Sequence, residues 1–149
     1  MIVIGSDHGG FALKEAIKSP LEERSIAVQD LGTNNGGDSV DYPDFGESVA
    51  RKVSQGEAEK GVLVCGTGIG MSIVANKFPG VRAALAADIY MAKMAKQHNN
   101  ANILVLGGRV LDENEAREMV VAWLDSAFEG GRHQGRLDKI SAIESELYK

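Results

Sequence analysis

LVCGTGIGMSIVANK, residues Leu63–Lys77, is an apolar run that passes through Gly66, Gly68 and Gly70 into a helical pattern. A strand entering a helix through a short glycine turn is the repeating unit of a parallel sheet. The same grammar recurs on both sides of this stretch. MIVIG (1–5), SIAVQDLG (25–32), GVLVCG (61–66), VRAALAAD (81–88) and NILVLGG (102–108) read as five strands. Between them FALKEAIKSPLEER (11–24), interrupted near Pro20, FGESVARKVSQG (45–56), GIGMSIVANKF (68–78) and IYMAKMAKQHNN (89–100) carry helical spacing. ENEAREMVVAWLDSAF (113–128) is a long helix, and a last helix is expected from Asp138 to Tyr148. The strands are continuous apolar runs rather than alternating ones, so both sheet faces must be covered. The expected architecture is α/β: an open, doubly wound parallel sheet of about five strands in three α/β/α layers, with a C-terminal helix. No linker or repeat divides it, so residues 1–149 read as one domain.

Composition narrows the function. Of 149 residues, 44% are apolar and 25% charged, which is enough apolar sequence for a hydrophobic core. A formal charge of −5 argues against nucleic-acid and membrane-surface partners, both of which need a basic face. No apolar run reaches membrane-span length, and a single cysteine forms no internal disulfide. A cytoplasmic location is expected.

In a doubly wound sheet, ligands bind beyond the carboxyl ends of the strands. Asp7 and His8 follow the first strand, Cys65 to Gly70 the third, Asp88 the fourth and Arg109 the fifth. The glycine turn frees backbone N–H groups at a helix start and so forms an anion cradle; a tight turn needing positive φ would use the same glycines. Asp88 would suit the ribose-binding acid of a dinucleotide site. However, Met71 stands where the last glycine of G-x-G-x-x-G belongs, and no Lys-[Ser/Thr] pair follows as a phosphate loop requires. A nucleotide-binding domain remains the alternative from another class.

Cys65 is either an inert core thiol or a base activated at a helix start. With no arginine closing the turn as in a cysteine phosphatase, a base beside an oxyanion cradle fits better. That arrangement suits removal of a carbon-bound proton next to a carbonyl. His8, His98 and His133 lack the spacing of metal ligands on one helix, so no metal is expected. GGRHQGR (130–136) pairs Arg132 with Arg136 and reads as a phosphate clamp or as a solvated basic turn.

Five motifs in order, SDHGGFALK (6–14), DYPDF (41–45), CGTGIGMSIVANK (65–77), QHNNANILVLGGR (97–109) and EGGRHQGR (129–136), give the chain a specific identity at family level. It resembles the B-type ribose-5-phosphate isomerases, in the wider family that includes galactose-6-phosphate isomerase subunits. The resemblance implies a Rossmann-like sheet, a homodimer or homotetramer, no metal or cofactor, and a phosphosugar substrate. It implies interconversion of ribose 5-phosphate and ribulose 5-phosphate, with related members acting on six-carbon sugars such as allose 6-phosphate or galactose 6-phosphate. By position, Cys65 matches the base and the Gly66, Gly68 and Gly70 turn the enediolate hole. Thr67, Asp7 and His98 match the groups around the ring oxygen and hydroxyls. Tyr42 and Asn99 match substrate contacts; His8, Arg109, Arg132 and Arg136 match the phosphate set. One branch replaces the thiol by a glutamate that would fall at Met71, so this chain resembles the thiol branch. The family further implies that His98, Asn99 and Arg109 reach the site from a neighbouring subunit. Some galactose-6-phosphate relatives need an unlike partner chain.

Overall fold

Val62 lies between Ile4 on one neighbouring strand and Leu104 on the other, and that register fixes the centre of the sheet. In the computed structural model, which describes residues 1–148, the strands are β1 (Ile2–Ser6), β2 (Val28–Asp30), β3 (Lys60–Cys65), β4 (Ala83–Leu85) and β5 (Ile103–Gly107). All pair in parallel, in the order β2-β1-β3-β5-β4. The three middle strands are buried along nearly their whole length, as their unbroken apolar sequence requires. The edge strands are shorter than the apolar runs that announce them.

Alternate side chains build two cores. Ile2, Ile4, Val62, Val64, Leu104 and Leu106 face α1 (Phe11–Ala16), α2 (Lys18–Glu23), α5 (Ile89–Gln97) and α6 (Glu113–Asp125), with Trp123 fully buried among them. Val3, Leu63, Cys65, Ile103 and Val105 face α3 (Tyr42–Ser54) and α4 (Ile69–Ala75). The expected three-layer α/β/α arrangement is therefore what the chain adopts.

The local reasons are legible. Pro20 lacks an N–H and crowds the carbonyl four residues back, Ala16. The first helix accordingly splits at Ile17, and the Ala16 carbonyl accepts instead from Ser19 Oγ (3.2 Å) and Arg117 Nε (3.1 Å). Helix α6 starts with a capping box: Asp112 accepts from the Glu115 N–H while the Glu115 carboxylate accepts from the Asp112 N–H.

Two boundaries differ from the sequence reading. Helix α3 begins at Tyr42, three residues before the helical spacing at Phe45, with Pro43 in its first turn. The last helix, α7 (Arg132–Leu147), begins six residues before Asp138. The basic segment 132–136 is thus its first turn and a half rather than a loop; Gly130 and Gly131, both at positive φ, turn the chain into it.

Candidate active site

Three strand ends knit into one surface. The Asp7 N–H donates to the Val64 carbonyl (3.3 Å), the Gly108 N–H to that of Cys65 (2.8 Å) and the Arg109 N–H to that of Gly66 (2.9 Å). The turns after β1, β3 and β5 are therefore held side by side at the carboxyl edge. Their backbones approach so closely that a Cβ on Gly108 would collide with the Gly9 carbonyl oxygen.

Cys65 closes β3. Its thiol is 5% exposed, seated in the core beneath α3 and α4. Gly68 follows at φ +84°, where a Cβ would stand 2.5 Å from Leu85 Cδ1 and 3.2 Å from the Leu106 backbone. Only glycine satisfies both the conformation and the space. Thr67 is exposed on this turn, and its Oγ1 accepts from the Ile69 N–H (3.3 Å), capping the start of α4. Tyr42, at the start of α3, lays its ring against Gly70, so closely that a Cβ there would fall 2.5 Å from the ring.

Asp7 is 8% exposed and uses Oδ1 to accept from the Gly10 N–H (3.0 Å), which caps a single 3-10 turn over His8–Gly10. His8 is oriented by the loop before α3: its Nδ1 accepts from the Val40 N–H (3.1 Å), so the proton of the neutral ring sits on Nε2. The Arg109 guanidinium lies over this surface. A Cβ on Gly66 would be 3.1 Å from its Nη1, and one on Gly9 would be 3.4 Å from its Cζ. A carboxylate, an imidazole and a guanidinium thus share the edge at which Cys65 ends β3.

Four candidate residues lie elsewhere. Helix α5 runs back from the carboxyl edge, so His98 and Asn99, at its end and before β5, lie at the amino edge of the sheet. The first turn of α7 packs there as well. His98 and His133 stack with centroids 4.2 Å apart and planes inclined by 15°. The Glu129 Oε1 lies 3.4 Å from His98 Nε2 and 4.0 Å from His133 Nε2, and the Glu129 N–H donates to the Gln97 carbonyl (3.0 Å). Arg132 and Arg136 flank His133 on the same helix. Burial holds the His133 pKa below its ordinary value, aided by His98 and the two arginines and opposed by Glu129. Sequence spacing gave no sign of this cluster, because 35 residues separate the two rings. Its ligand atoms fall within 4.8 Å of one another, yet nearly parallel stacked rings cannot both aim an in-plane lone pair at one ion.

The candidate residues therefore fall into two groups on opposite edges of the sheet. Asp7, His8, Tyr42, Cys65, Gly66, Thr67, Gly68, Gly70 and Arg109 form one; His98, Asn99, Arg132 and Arg136 form the other. Within the chain Arg109 lies against Gly66, while Arg132 and Arg136 share an edge with His98. Asp88, the acid of the nucleotide alternative, is committed to capping α5 by accepting from the Met91 N–H (2.8 Å).

Comparison with known proteins agrees with this geometry. A sequence model of the Ribose/Galactose Isomerase family matches residues 2–140. Ribose-5-phosphate isomerase B of Escherichia coli is 46% identical over 143 residues, covering 96% of this chain and 95% of that protein. The solved ribose-5-phosphate isomerase B of Clostridium thermocellum superposes with a TM-score of 0.94 at 51% identity, covering 98% of each chain. That of Mycoplasma genitalium, with ribulose 5-phosphate bound, gives 0.93 at 44% identity, covering 97% of this chain and 96% of the other. The chain belongs to the ribose/galactose isomerase family.

Proposed function

We propose that this chain, as a member of that family, interconverts ribose 5-phosphate and ribulose 5-phosphate through an enediolate, with Cys65 as the base. The carrying observation is a thiol at the end of β3 directly before a glycine turn, with the Arg109 guanidinium against Gly66 of that turn. Aldose–ketose exchange moves one proton between C1 and C2 and one between their oxygens. It is redox-neutral and calls for a base, an oxyanion partner and no external oxidant. The Cys65 thiolate takes the C2 proton of the open aldose, electrons shift to O1, and the proton returns at C1. N–H groups of the Gly66–Gly70 turn and the Arg109 charge oppose the developing oxyanion, a contribution worth about 3 kcal/mol per well-placed donor.

Ring opening comes first for an aldose. Asp7, Thr67 and His98 are the groups for it, with Tyr42 and Asn99 contacting the sugar and His8, Arg109, Arg132 and Arg136 the phosphate. Because His98, Asn99, Arg132 and Arg136 lie on the opposite edge, the complete site is assembled from two chains. Exposed apolar side chains support such a pairing: Ile69 and Ile73 beside the glycine turn, and Ile140, Ile143 and Leu147 along α7. A homodimer is the smallest assembly that meets this need, and a homotetramer would contain it twice.

The test is Cys65→Ala. It should abolish turnover while ribose 5-phosphate still binds, and iodoacetamide should inactivate the parent enzyme unless substrate is present. Near-normal kcat in Cys65→Ala would reject this chemistry. Assays on ribose, allose and galactose phosphates with the pure chain decide sugar length and whether an unlike partner is needed.

A further inference from the structure

We infer that Glu129 and His133 are positioning residues for His98, which hold its imidazole in place and assign it the shared proton for opening the furanose ring. This rests on the reading of His98 as a ring-opening group.

His98 needs such support. It ends a helix, and its side chain is 37% exposed. A histidine so placed would ordinarily sample several rotamers. Two contacts restrict it here. One face is covered by the His133 ring at 4.2 Å, and the Nε2 edge meets the Glu129 carboxylate at 3.4 Å. Both supports are themselves fixed: Glu129 by its backbone bond to Gln97, and His133 by burial in the first turn of α7, where its N–H donates to Gly130 (3.0 Å).

The charges decide where a proton goes. Two imidazoles share one carboxylate, with Arg132 and Arg136 on the same helix and Lys93 and Asp125 along the groove beside Glu129. Two stacked imidazolium rings facing two guanidinium groups would leave the single carboxylate outnumbered. The buried His133 ring is the costlier of the two to charge, and its neighbouring cations add to that cost. The Glu129 carboxylate is therefore left to serve His98, whose Nε2 it approaches more closely. His98 can then donate to the ring oxygen and recover the proton afterwards.

The substrate itself offers a way to isolate this step. In ribulose 5-phosphate the C5 hydroxyl is esterified, so the C2 ketone has no hydroxyl with which to close a furanose. Exchange of its C1 proton with solvent thus requires Cys65 and the enediolate cradle but no ring opening. Ribose 5-phosphate turnover requires both. We would measure C1 exchange on ribulose 5-phosphate in D2O by NMR, and kcat, KM and the pH profile on ribose 5-phosphate.

Glu129→Gln and His133→Ala should each lower kcat on ribose 5-phosphate on the order of tenfold or more, with KM and C1 exchange within about twofold. Glu129→Gln should also shift the alkaline side of the kcat profile to lower pH, because a proton donor without its neighbouring anion gives up the proton sooner. His133→Phe, which keeps a stacking ring, should restore most of the loss. Equal losses in both assays, or none in either, would overturn the positioning role. Cys65→Ala is the control for the parent reading: if it retains C1 exchange, or if the unmodified enzyme is silent in both assays, that reading fails. An active parent with unaffected Glu129 and His133 variants fells this inference alone.

Discussion

Gly68 shows how much of the site rests on single atoms. Its φ of +84° costs an L-residue about 1–2 kcal/mol before any contact is counted. A Cβ would also press on Leu85 and on the Leu106 backbone, and only the leucine end can move aside. Gly68→Ala should therefore displace the turn, withdrawing oxyanion donors from the position that Cys65 serves. For a chain of this length each kcal/mol lowers Tm by roughly 2–4 °C. A drop of several degrees by calorimetry, together with a fall in kcat of on the order of a hundredfold, is expected. An alanine variant with unchanged kcat would show that the turn donates nothing to the intermediate. Arg109 teaches a related lesson: its value to the site comes from a backbone bond to Gly66 that places the guanidinium there.

At the scale of elements, a buried charge ties α1 to the edge of the sheet. Lys14 is fully buried and donates to both oxygens of Asp30 on β2 (2.6 and 2.8 Å), while Lys18 and Glu15 complete the network. Burial disfavours the Asp30 carboxylate, but hydrogen bonds from Lys14, Lys18 and the Gly32 N–H outweigh it and leave its pKa below the usual value. A depressed carboxylate pKa contributes stability that is complete above the unfolded value, near pH 4, and lost as pH falls through the folded one. Asp30→Asn leaves the buried Lys14 with only the Glu15 carboxylate, 3.3 Å away, and should cost at most about 3–5 kcal/mol at pH 7. It should also flatten the decline in stability between pH 4 and pH 2, as measured by urea unfolding. An acid limb unchanged by the substitution would refute the assignment. This network was invisible in the sequence, where Lys14 reads as a solvated helix residue. The strands and most helices were legible because continuous apolar runs, the Pro20 break and the Asp112–Glu115 box act locally. The start of α7 was not, because Gly130, Gly131 and Gly135 make the basic segment look like loop, whereas helix begins at Arg132 where His133 packs on His98. The candidate residues could be placed at strand ends and in motifs. Their division between two edges could not, since it depends on strand order and on which way α5 runs.

At the scale of the whole molecule, the proposed site is a property of an assembly. If each site takes Cys65 from one chain and His98 from another, two inactive variants can rescue each other. Cys65→Ala and His98→Asn would each be purified and shown to be inactive, then mixed in equal amounts, unfolded and refolded together. In a mixed dimer one site inherits both lesions and the other inherits neither. Random pairing makes about half of the dimers mixed, so about a quarter of the activity of refolded parent enzyme should return in a twofold-symmetric pair. The parent must be refolded alongside, because incomplete refolding lowers both figures. Placing the two substitutions in one chain and mixing it with parent chain supplies the converse. Half of the dimers are again mixed, but now each mixed dimer carries one lesion in each site and is dead. Only the quarter that is parent–parent remains, so activity falls to about one quarter instead of the half expected for self-contained sites. Recovery in the first mixture and this excess loss in the second must occur together. No recovery from well-refolded mixed dimers would place the whole site within one chain, and His98 would then have to act from an edge of the sheet that its own Cys65 does not face.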